Sequence, residues 1–70
     1  MMTLARALEL IHAQQAAIGL AACRQNPAAL EVQASSALFR QKPNTKTAAR
    51  LTQAVEDWQQ YREANPLSEV

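Results

Sequence analysis

Among the 70 residues, few side chains can serve as base or nucleophile: one histidine, His12, and one cysteine, Cys23. A histidine acts as a general base only when a nucleophile lies within hydrogen-bond reach and a further group orients the ring. No Ser, Cys or carboxylate is spaced to complete such a set with His12. Glu9, three residues before it, is ordinary helix-surface pairing. Cys23 reads first as a small hydrophobe, because a reactive thiol needs a cationic setting and Arg24 is its one adjacent cation. One Cys and one His fall short of the four ligands of a structural zinc site, and a single Cys excludes a disulfide within the chain. The expected function is therefore non-enzymatic, with no catalytic residue, cofactor or metal.

The residues that remain are of the kind that bind. Arg40, Lys42, Lys46 and Arg50 form a basic patch, since no acid falls between Glu31 and Glu56, and Asn44, Thr45 and Thr47 add donors suited to phosphate. Such a patch meets nucleic-acid backbone or an acidic protein surface. Against it stand the net charge of +1 and the acids Glu56, Asp57, Glu63 and Glu69. A helix–turn–helix regulator, with Lys46, Thr47, Arg50 and Gln53 directed at bases, is the alternative reading. Pro43 in the connection and the missing turn glycine weigh against it. Trp58 and Tyr61 are the candidate anchors for a protein partner, as aromatics are enriched among interface hot spots. With Phe39 they are also the only aromatics available to a core.

These residues must be positioned by helices. Gly19 is the single glycine, and the prolines divide the chain at Asn26-Pro27, Lys42-Pro43-Asn44 and Asn65-Pro66. Asn26 can cap a helix with Pro27 at its first position, and Asn44 or Thr45 can cap the next. The spacing predicts helices over about 3–25, 28–41 and 45–64 in one domain, 1–65, followed by a flexible tail, 66–70. The first places Leu4, Leu8, Ile11, Ile18 and Ala22 on one stripe, interrupted by Gln15, with Leu10, Ala13, Ala17 and Leu20 on a second beside it. The middle helix is less regular: Leu30, Ala34, Ala37 and Leu38 share one side, Val32 and Phe39 another. The last has an inward face of Ala48, Leu51, Ala54, Val55, Trp58 and Tyr61, and an outward row of Arg50, Gln53, Asp57, Gln60 and Glu63.

A chain this short buries a small fraction of its surface and is marginal alone. With disulfide and metal excluded, a partner chain is the expected support. The predicted fold is all-α, a three-helix bundle or bent helical hairpin completed by homodimerisation through Leu4, Leu8, Ile11 and Ile18. No stretch reaches the roughly 20 apolar residues of a bilayer span, and Arg6, Glu9 and His12 interrupt the start, so a cytoplasmic protein is expected, with no membrane partner. The function this supports is an adaptor, inhibitor or small chaperone presenting a helical face to a protein partner, with nucleic acid not favoured.

Overall fold

The structure, a computed structural model, describes residues 2–64, which are all-α: α1 Leu4–Ala13, α2 Gln15–Cys23, α3 Pro27–Gln41 and α4 Thr45–Ala64. The tail assigned to 66–70 and the break at Asn65-Pro66 lie outside the described residues. No helix among them is long and apolar enough to cross a membrane.

Capping residues explain most of the boundaries. The Asn26 side chain accepts from the Ala29 N–H at 3.1 Å, with Pro27 opening α3 where its missing N–H is not needed. At α4 the caps are reciprocal. Asn44 Oδ1 accepts from the Thr47 N–H and Thr47 Oγ1 from the Asn44 N–H, both at 3.0 Å, while the Thr47 hydroxyl donates to the Lys42 carbonyl at 2.6 Å. The end of α2 closes differently. Gln25 takes a left-handed φ of 61°, so that its N–H reaches the Ala22 carbonyl at 2.9 Å and the Asn26 N–H reaches the Ala21 carbonyl at 3.0 Å. This is the Schellman arrangement, whose left-handed position usually holds glycine.

The predicted first helix is two helices. It bends at Gln14, whose φ of −110° and ψ of 21° depart from helical values. Neither proline nor glycine causes the bend, and glutamine is a good helix former. The cause is tertiary: α1 lies against α4 while α2 lies against α3, and α3 and α4 pack most extensively on each other. The inward face of the bent pair runs through Ala7, Gln14 and Ala21, at seven-residue steps, rather than along the predicted stripes. Ala7 and Ile18 are buried, Leu4, Ile11, Ala17 and Ala22 half-buried, and Leu8 and Leu20 point outward at 42% and 48% exposure.

The buried core consists of Ala7, Ile18, Ala29, Val32, Leu51, Ala54, Val55 and Trp58, so α4 supplies half of it. Its predicted inward face stands: Leu51, Ala54, Val55 and Trp58 are buried, Ala48 and Tyr61 half-buried, and the row from Arg50 to Glu63 is exposed. In α3 the face is corrected. Leu30, Ala34 and Ala37 are exposed, and the inward side is Ala29, Val32 and Ser35, with Phe39 half-buried beside them. Small residues there let α3 approach α4 closely, and Ser35 satisfies its own hydroxyl by donating to the Glu31 carbonyl at 2.7 Å.

Candidate functional site

Gln14 occupies a position where an apolar residue would continue the inward face, and its amide is used on both sides. Oε1 accepts from Trp58 Nε1 at 2.9 Å and from an Arg62 guanidinium N–H at 2.7 Å, and Nε2 donates to Gln59 Oε1 at 2.8 Å. The Arg62 guanidinium also stands 5.9 Å from the centre of the Trp58 ring, and the Tyr61 ring stacks on Trp58 at 5.8 Å and 25°. One glutamine thus ties the bend of the first two helices to the C-terminal half of α4. By spacing alone the interruption of the stripe falls at Gln15. Gln15 is exposed, while Gln14 is half-buried.

This network settles the placing of the aromatic anchors. Trp58 is 1% exposed, with its indole N–H engaged, so it belongs to the core and offers no surface to a partner. Tyr61 is half-buried and lines a hollow with Ala17, Leu20, Ala21, Arg24 and Pro27, at the turn between α2 and α3.

Of the four residues expected to mediate self-association, Ile18 is core, Leu4 and Ile11 are half-buried, and Leu8 is exposed. Leu8 and Ile11 do share a surface feature, a groove between α1 and α3. It consists of two adjoining hollows of about 270 and 250 Å³ that have Ile11, Gln15, Ser36 and Arg40 in common. The outer hollow adds Leu8, His12 and Phe39, and the inner one Ile18, Val32 and Ala37. Its lining is mixed, with the apolar side chains set among His12, Gln15, Gln33, Ser36 and Arg40. Open and elongated, it suits a row of side chains better than an enclosed small molecule.

The basic patch is divided. Arg40, Lys42 and Lys46 are exposed, but Arg50 donates to both carboxylate oxygens of Glu31, at 2.8 and 3.1 Å. That hydrogen-bonded pairing holds the Glu31 carboxyl below its ordinary value and raises the guanidinium above its own. Thr47, at 8% exposure, is consumed by the cap of α4, and Gln53 donates to Asp57 at 3.1 Å. The four side chains that a base-reading α4 would need are thus largely engaged within the chain, and Asp57 follows them on the same outward row. Cys23 is exposed at the end of α2, and Glu9 pairs with Arg6 rather than standing by His12. Among the described residues no group of three or more His, Cys, Asp or Glu is placed to hold a metal ion. In comparisons with protein-family models, curated proteins and solved structures, the chain matches none.

Proposed function

We propose that the chain is a non-enzymatic protein-interaction module of the cytoplasm, an adaptor, inhibitor or small chaperone, that takes an apolar helix of a protein partner into the groove between α1 and α3. In this reading α3 and α4 form a hairpin, the bent α1–α2 pair lies over it as a bundle, and a second copy completes the assembly. The observation that carries it is the groove itself: Leu8, Ile11 and Phe39 line an open channel beside the bend, in a chain whose core is already closed around Trp58. Helix-in-groove recognition uses such rows of apolar anchors. Arg40 beside the groove favours an acidic residue flanking the partner's apolar face.

The test compares capture of partners from source-cell extract by the parent chain, Leu8→Asp and Lys46→Glu, at low and high salt. The expected result is binding that changes little with salt, survives Lys46→Glu and is lost on Leu8→Asp. Binding that collapses with salt and with Lys46→Glu, while tolerating Leu8→Asp, would instead identify the α3–α4 turn as a nucleic-acid contact and overturn the reading.

A further inference from the structure

We infer that α1 is exchangeable between copies: in a second state the chain straightens at Gln14, and α1 seats on α4 of another molecule. The inference deepens the self-association in the reading above and rests on it for the existence of a second copy.

Three observations carry it. The first is that nothing local enforces the bend. Hydrogen bonds of 2.9 Å from the Gln14 N–H to Leu10 and from the Ile18 N–H to the Gln14 carbonyl already run through it. Residues 4–23 carry no proline, so a single helix of about 30 Å is open to them. The second is that side chains hold the bend. The three bonds of the Gln14 amide to Trp58, Gln59 and Arg62 tie the bend to the C-terminal half of α4. The third is that α1 is weakly held. It is ten residues long, too short to be stable alone. Ala7 is its one fully buried residue, and its start is fastened by the Met2 N–H donating to Glu56 Oε2 at 2.7 Å.

The occupant follows from these observations. The surface that α1 would vacate on α4 is complementary to α1 by contacts already present in the single chain, so the α1 of a second copy fits it with the same residues. Exchange of this kind reuses an existing interface and needs only a hinge that can open. Self-association by this route needs no contact surface beyond the one that α1 and α4 already share. The groove survives the exchange, with its α1 wall supplied by the other copy.

The test uses two substitutions that remove the Gln14 bonds equally but differ in helix preference. Gln14→Ala favours the straight form and Gln14→Gly disfavours it, in both chains of the dimer. The dimer dissociation constant is therefore expected to be about 30-fold lower for Gln14→Ala, measured by sedimentation equilibrium. The seating of α1 is read separately. In a Cys23→Ser background, Met2→Cys chains and Glu56→Cys chains are refolded together at high concentration and treated with a short bismaleimide. A cross-linked pair on a denaturing gel supports exchange, because Met2 meets Glu56 only across the α1–α4 contact. A dimer that yields no such pair overturns exchange and leaves self-association standing. A monomer for parent and Gln14→Ala at millimolar concentration overturns both.

Discussion

The two halves of the molecule solve the same problem by different means. The α3–α4 half is fixed locally: a side-chain cap opens each helix, the connection is knotted by Thr47, and α4 buries Leu51, Ala54, Val55 and Trp58 along one regular face. The α1–α2 half is fixed from a distance. Its bend has no local cause, its deepest contacts are made by Ala7 and Ile18, and the Gln14 amide ties it to α4. The difference teaches where stability and adaptability reside: one half is a scaffold, and the other is an arm whose conformation is borrowed from that scaffold.

The largest test of this contrast is a pair of leucines. Leu51→Ala empties fully buried volume in α4 and is expected to cost about 2–5 kcal/mol, enough to unfold much of the chain. Leu8→Ala in α1 is expected to stay within about 0.5 kcal/mol, because its side chain is already half in water. Denaturant unfolding of both variants checks this; equal losses would erase the distinction between scaffold and arm.

A smaller effect is expected at the junction of the halves. Gln25 holds a left-handed backbone that costs an ordinary residue roughly 1–2 kcal/mol, whereas glycine gives back roughly 0.4–1 kcal/mol through the freer unfolded chain. Gln25→Gly should therefore stabilise the protein by a net of about 1 kcal/mol, seen as a higher melting temperature. A fall would mean that the Gln25 side chain has a role beyond the turn.

The smallest effect concerns the ion pair that braces α3 against α4. Arg50 lowers the Glu31 pKa, so the pair adds stability at pH values above the unfolded carboxylate's own, about 4.3, and that stability is lost as the pH falls through the lower folded value. Both side chains are well exposed, so solvent screens most of the interaction. Glu31→Gln should melt slightly below the parent at neutral pH and together with it in acid. A gap that persisted in acid would point to lost packing rather than lost charge.

How much of this could be read from the sequence follows the same division. The caps at Asn26 and Asn44 and the face of α4 were legible because their causes lie within a few residues of each other. The α3 face was not, because Leu30 and Ala34 are apolar whichever way they point, and the choice fell to Ala29 and Ser35, small enough to let α4 approach. The bend at Gln14 was invisible for the opposite reason: its partners are more than forty residues away. Gln25 was missed because the left-handed turn lacks the glycine that announces it. Of the candidate site, Leu8 and Ile11, expected to mediate self-association, line the groove between α1 and α3, while Trp58 was claimed by the core and Arg50 by Glu31. Phe39 and Arg40, weighed for other roles, line the same groove from α3.

The closeness of the helices has a consequence for how the chain can diversify. Ala7, Ala29 and Ala54 are buried almost completely, each with its methyl group enclosed in the core. Such positions have nothing to lose by shrinking but glycine, which frays a helix, and cannot grow without forcing the helices apart. Enlarging any of these side chains is expected to cost about 1–3 kcal/mol, whereas changes along the outward rows of α3 and α4 are expected to stay within about 0.5 kcal/mol.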